Sequence, residues 1–266
     1  MAFNRVVSLT VGKDGQQGIE ITGLHMAFTV KKSDTETKNE ATIDVWNINP
    51  DTFALLQEPD TVIILKAGYE DEGGARPIFF GGIKNVDVDK SSPDWKYTIY
   101  SLDGYRAPEK RRISMSFAGG TSKQIVFDKV VQSFNLSIGR KKDIPGKFEG
   151  GFTYIGYADD AINKILDGTG LKARVHNELI YILEENERVS EFKATPETGL
   201  LGRPELHTED DRTYWTVRTV LYTDIVPGMT LNIESQDLSG AFPVAAVEYK
   251  GDTHGEEFVC TIEVDQ

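Results

Sequence analysis

Few residues of this chain have the chemistry to hold a metal or attack a substrate. They are four histidines (His25, His176, His207, His254), one cysteine (Cys260), and carboxylates that gather at Asp159-Asp160, Glu209-Asp210-Asp211 and Asp252. No two histidines stand at a helical or hairpin spacing that would put both on one ion, and a structural zinc site wants about four ligands. Asp252 and His254 could form an acid/base pair, but they fall in Gly251-Asp252-Thr253-His254-Gly255, a polar turn that a solvated hairpin tip explains. Cys260, between Val259 and Thr261, reads as a small core or sheet-face residue with no base beside it. Asp159-Asp160 complements a helix dipole, and Glu209-Asp210-Asp211 lacks the spaced ligands and turn glycine of a calcium loop. The glycine pairs beginning at Gly73, Gly81, Gly119 and Gly150 lead into no Gly-Lys-Ser/Thr and no GxGxxG, so they cradle no phosphate. Lys110-Arg111-Arg112 and Arg140-Lys141-Lys142 are the compact positive runs, and each reads as a solvated loop. The sequence therefore assigns no catalytic, cofactor-binding or metal-ligating residue, and predicts a protein that is not an enzyme.

The elements around these residues must then carry the function. With 39% hydrophobic and 10% aromatic residues, the 266-residue chain can bury a core and fits two compact domains with a smaller module between them. A lone cysteine forms no internal disulfide, which suits folding in a reducing cytoplasm. The first residues, MAFNRVVSLTVG, lack the pattern of an export signal, and no run approaches the roughly 20 apolar residues of a membrane span. Acidic residues outnumber basic ones 42 to 29, a formal charge of −13, which argues against a surface built to grip phosphates. The same charge suits a channel wall past which a polyanion slides.

The first hundred residues alternate with period two through Val7, Leu9 and Val11, then Met26, Phe28 and Val30, then Ala41, Ile43 and Val45. Asn49-Pro50 starts a short helix carrying Phe53, Leu55 and Leu56. Gly81-Gly82 inside the strand from Ile78 to Val88 marks a bulge or bend. From Thr121 the period changes. Thr121 and Gln124 have capping-box spacing, and Phe127, Val130, Val131 and Phe134 share one helix face. A second helix carries Ala158, Ala161, Ile162, Ile165 and Leu166 and stops at Gly168 and Gly170. A hairpin follows, from Lys172–Val175 to Leu179–Leu183 about His176-Asn177-Glu178. Residues 184–204 are mostly polar and read as a connector. Trp215, Val217 and Thr219 restore the strand pattern. The expected fold is mainly β with an α+β insert: a first β-barrel over 1–105, an α+β module over 106–190, and a connector with a second β-barrel over 191–266.

The closing stretch is the most distinctive. Ile225-Val226-Pro227-Gly228 turns into Met229, Leu231 and Ile233; strands are expected from Phe242 to Tyr249 and from Phe258 to Val264, with the Gly251–Gly255 turn between them. This wording resembles the baseplate hub proteins of tailed phages, a family related to the hubs of contractile injection machines. Thr42-Ile43-Asp44-Val45-Trp46-Asn47-Ile48-Asn49-Pro50 and the Asp160–Leu166 helix with its Gly168-Thr169-Gly170 stop resemble the same family.

The resemblance implies a homotrimer in which each chain supplies two β-barrels. Six barrels make a pseudo-sixfold ring that adapts a hexameric tail tube to a threefold central spike and leaves a channel for DNA. Implied partners are the tail tube or distal tail ring protein, the spike, and tape-measure and baseplate-wedge proteins, with no cofactor. The implied location is the virion tail baseplate, after folding in the host cytoplasm. Two other classes fit the residues: a carbohydrate- or peptide-binding β module using Trp46, Trp95 or Trp215, and a cell-wall hydrolase for which no site is visible.

Overall fold

A computed structural model describes residues 4–13, 16–33, 39–103, 112–132, 137–176, 179–184, 191–209 and 212–265. The chain is mainly β, as its period-two patterning predicts. It divides into two compact units, Met1–Leu102 with Arg188–Gln266, and Asp103–Glu187.

The N-terminal segment of the first unit supplies β1 (Arg5–Lys13), β2 (Ile19–Ile21), β3 (Met26–Ser33), β4 (Glu40–Trp46), α1 (Pro50–Gln57), β5 (Thr61–Tyr69), β6 (Gly74–Asp89) and β7 (Lys96–Leu102). The second unit holds β8 (Arg112–Phe117), β9 (Thr121–Ser122), α2 (Lys123–Gln132), β10 (Ser137–Lys141), β11 (Lys147–Phe148), β12 (Phe152–Tyr157), α3 (Ala158–Leu166), β13 (Leu171–His176) and β14 (Leu179–Glu184). The C-terminal segment returns to the first unit with β15 (Glu191–Ala194), β16 (Leu200–Glu209), β17 (Arg212–Val220), β18 (Thr230–Glu234), β19 (Ser239–Asp252) and β20 (Phe258–Asp265).

One sheet runs through both segments of the first unit, in the order β16-β17-β20-β19-β3-β4-β7-β6-β5-β1-β2, with β18 on β19 and β15 parallel to β18. The seam between the segments is the antiparallel pair β3–β19, in register from Ala246 opposite Ser33 to Asp252 opposite Ala27. Alternation explains why these strands meet. Met26, Phe28 and Val30 of β3 point inward, as do Phe258, Cys260, Ile262 and Val264 of β20, into one core shared with Val7, Leu9 and Val11 of β1. Fully burying an aliphatic or aromatic side chain of this size is worth about 1.5–3 kcal/mol. The 3.6-residue period does the same for α1, whose Asn49 caps the helix by accepting from the Thr52 amide at 2.7 Å.

Gly81 lies where β6 crosses close to β7. A Cβ there would stand 2.5 Å from the Leu102 carbonyl oxygen, and β6 slips register against β7 between Ile83 and Asn85. The bend anticipated from the glycine pair is a close approach of two backbones with an irregularity beside it.

In the second unit Val126, Phe127, Val130 and Val131 of α2 pack with Ala161, Ile162, Ile165 and Leu166 of α3 and with Ile180 and Ile182 of β14. The β13–β14 hairpin is antiparallel, while β10 lies parallel to β14.

Three local expectations change. Thr121 belongs to β9 and forms no capping box; Ser122 Oγ accepts from the Ile125 amide instead, and Gln124 Oε1 accepts from Ile144. The polar stretch read as a connector contains β15 and the start of β16, because its partners β18 and β17 supply the ladder that its own composition does not advertise. Gly251 is a buried strand residue of β19, with Phe28 and Phe258 packed against its backbone. Phe134, Asn177, Glu178, Lys110, Arg111, Asp210 and Asp211 lie outside the described residues.

Candidate functional site

The β3–β19 seam ends in a cluster of side chains from three parts of the sheet. Gly23, at φ 70°, turns the chain so that His25 arrives just before β3. β19 ends at Asp252 directly beside it, and the turn beyond folds back on β3: the Thr253 amide donates to the Met26 carbonyl at 2.9 Å, and the Met26 amide donates to Thr253 Oγ1 at 3.0 Å. A turn read as solvated is thus fastened to another strand.

Asp252 organises the turn. Its Oδ1 accepts from the His254 and Gly255 amides at 2.8 and 2.9 Å and stands 2.9 Å from His25 Nε2. Partial burial works to raise its carboxyl, but the two amides and His25 outweigh that and hold it below its ordinary range. Arg5, at the start of β1, clamps the outer side by donating to the carbonyls of Asp252, Gly255 and Glu256 at 3.2, 2.6 and 2.8 Å.

The rings are held as firmly. His25 stacks on Trp46 at the end of β4, with centroids 3.8 Å apart and planes within 8°. His254 tilts toward His25 at 4.6 Å, its Nδ1 2.9 Å from Thr253 Oγ1. One nitrogen from each ring and one Asp252 oxygen all lie within 4.8 Å of one another.

Spacing along the chain hid this arrangement. His25 and His254 are brought together by strand pairing, so a search for two histidines in one local motif misses them. The signal present in the sequence was Asp252 and His254 inside one turn. The nearby hydroxyl serves the turn: Thr253 Oγ1 accepts from the Met26 amide and lies 2.9 Å from His254 Nδ1.

Among the described residues the other candidates stay separate. Cys260 is fully buried, burial pushes its thiol up to about 12, and its Sγ lies 3.3 Å from the donating Tyr222 amide. His207 stacks on Tyr214 at 5.4 Å. Asp160 and Glu209 are exposed at element ends, and Lys142 pairs with Glu184 at 2.7 Å. Trp95 carries Lys90 over its ring at 4.1 Å, and Trp215 packs against the core.

No protein-family model matches the chain. No curated protein sequence matches it either. Solved structures do. The tail protein from Neisseria meningitidis MC58 is 10% identical and superposes with a TM-score of 0.66 over 99% of this chain and 97% of its own. The 43 kDa tail protein of prophage MuSo2 from Shewanella oneidensis gives 0.66 at 7% identity, over 97% and 96%. The E. coli c3393 protein, a component of the type VI secretion system with structural similarity to the T4 bacteriophage tail proteins gp27 and gp5, gives 0.58 at 9% identity, over 96% of this chain and 76% of that one. The resemblance read from the sequence thus holds at the level of fold: this chain has the fold of phage tail proteins, shared with a type VI secretion component.

Proposed function

We propose that the chain is a structural hub of a phage-tail baseplate, with an architectural rather than a catalytic role. The observation that carries this reading is the end-to-end likeness to two phage tail proteins, which covers nearly the whole of both partners in each comparison. A shared fold of this length argues for a shared place in the machine more strongly than a match to one domain would.

In this reading the strands before and after the second unit are two tandem barrels per chain, joined along β3–β19, and three chains bring six barrels into a pseudo-sixfold ring. Head-to-tail contacts that close require two complementary patches on every subunit. The ring adapts a sixfold tail tube or distal tail ring to a threefold spike, with tape-measure and wedge proteins as further neighbours, and sits in the virion after assembly in the host cytoplasm. The surplus of 42 acidic over 29 basic residues suits a lumen that passes DNA without holding it.

The test is the mass of the protein in solution by light scattering, alone and mixed with its tube and spike proteins. The expected species is three times the 29.6 kDa chain mass, entering a larger complex with those partners. A stable monomer that joins neither partner overturns the proposal, and glycan binding by that monomer would establish the carbohydrate-binding alternative.

A further inference from the structure

The geometry at the end of the seam points to a divalent transition-metal site made by His25, Asp252 and His254. This does not rest on the hub reading. Two imidazoles and one carboxylate are a donor set for borderline ions such as Zn²⁺ or Ni²⁺, whereas Mg²⁺ and Ca²⁺ favour oxygen alone.

The distances fit with a small movement. Metal–ligand bonds of about 2.0–2.2 Å put neighbouring donor atoms roughly 3 Å apart. His25 Nε2 and Asp252 Oδ1 already stand 2.9 Å apart, so an ion replaces the hydrogen bond between them along an existing edge. The third donor lies within 4.8 Å of both. Rotation of the exposed His254 ring closes that gap, and water completes the coordination shell.

The surroundings already orient the ligands. Trp46 fixes the plane of His25 by stacking, the His254 and Gly255 amides fix Asp252, and Arg5 holds the turn through its backbone carbonyls. Arg5 is a nearby positive charge and opposes the ion, but its guanidinium is engaged with those carbonyls and with the face of Phe258 at 5.3 Å. The donors come from the approach to β3 and from the end of β19 with its turn. A bound ion is therefore a cross-link between the two strands of the seam, β3 and β19, and it raises the stability of the sheet unit by binding only the folded form.

Trp46 provides a local reporter. Tag-free protein titrated with Ni²⁺ should lose Trp46 fluorescence in a saturable, one-equivalent transition, and Zn²⁺ should give one equivalent by calorimetry and raise the melting temperature. Loss of an outer partner of a ligating histidine costs about 10–100-fold in affinity, so loss of a ligand should cost at least roughly tenfold. His254→Ala and His25→Gln should each show that loss, while His207→Ala should bind as the parent does. His254→Ala removes an exposed ring and leaves the His25–Trp46 stack, and far-UV circular dichroism checks that both variants fold. Absence of saturable Zn²⁺ and Ni²⁺ binding by the parent overturns the assignment. Parent-like affinity in folded His254→Ala and His25→Gln overturns it equally.

Discussion

Gly251→Ala tests whether the seam between β3 and β19 is packed as tightly as the distances say. A Cβ at this position would stand 2.4 and 2.7 Å from Phe28 Cζ and Cε1 and 2.9 Å from Phe258 Cδ2. Carbon atoms rest about 3.5–4.0 Å apart, so the overlap exceeds an ångström at one ring tip. The rings cannot swing away singly. Phe28 meets Phe258 edge-on at 6.1 Å, and Phe258 meets Tyr69 at 5.2 Å, so relief for one displaces the others. Alanine also restricts the unfolded chain, a gain of about 0.4–1 kcal/mol, against an overpacking cost of about 1–3 kcal/mol. Overpacking should win. With a urea slope of about 2 kcal/mol/M, the transition midpoint should fall by up to roughly 1 M. Tryptophan fluorescence follows the right unit, because all three tryptophans, Trp46, Trp95 and Trp215, belong to the sheet unit. Adding Phe28→Leu removes the offending ring atoms, so the double variant should be less destabilised than the sum of the singles by about 0.5 kcal/mol or more. An unchanged or raised midpoint for Gly251→Ala, or strict additivity in the double variant, refutes the tight-seam argument.

Arg5→Ala removes the donor shared by three turn carbonyls and should speed exchange of the Asp252 and Gly255 amides, which donate within the turn, with about 0.5–1.5 kcal/mol lost in the same urea assay. Asn49→Ala deletes the α1 cap and should cost about 1 kcal/mol by the same measurement. Alkaline pH should weaken the sheet unit. Burial pushes Cys260 and Tyr69 up to about 12 from ordinary values of 9.0 and 10.0, and raises Tyr249 as well. The unfolded chain therefore gives up these protons first. Stability should hold below pH 9 and decline between pH 9 and 12, and urea midpoints that stay level across that window would contradict the burial of these groups.

The sequence showed its local order and hid its distant contacts. Strands such as β3, β4 and β20 were legible because one face is apolar at every second residue, and α3 because Ala161, Ile162, Ile165 and Leu166 recur on one side. β15 was not, since Glu191 and Lys193 flank only Phe192 and Ala194, and its place depends on a parallel partner about 40 residues away. Gly251 was misread for a related reason: glycine signals a turn by composition, and only the two phenylalanines packed on it show that it serves a close crossing. The histidine cluster needs the same long-range pairing, because His25 and Asp252 are 227 positions apart and meet only when β3 and β19 do.

That pairing also sets an order of events during synthesis. The second unit is contiguous and can close as soon as its own residues emerge. β3 leaves the ribosome early, with its β19 edge unpaired, and waits for strand residues more than 200 positions later. At about 5–20 residues per second the delay is roughly ten to forty seconds, during which an apolar strand edge stands open to chaperones or to other nascent chains. Only a chain that has emerged through β19 can complete the sheet, so a product cut short of that strand leaves the β3 edge unpaired.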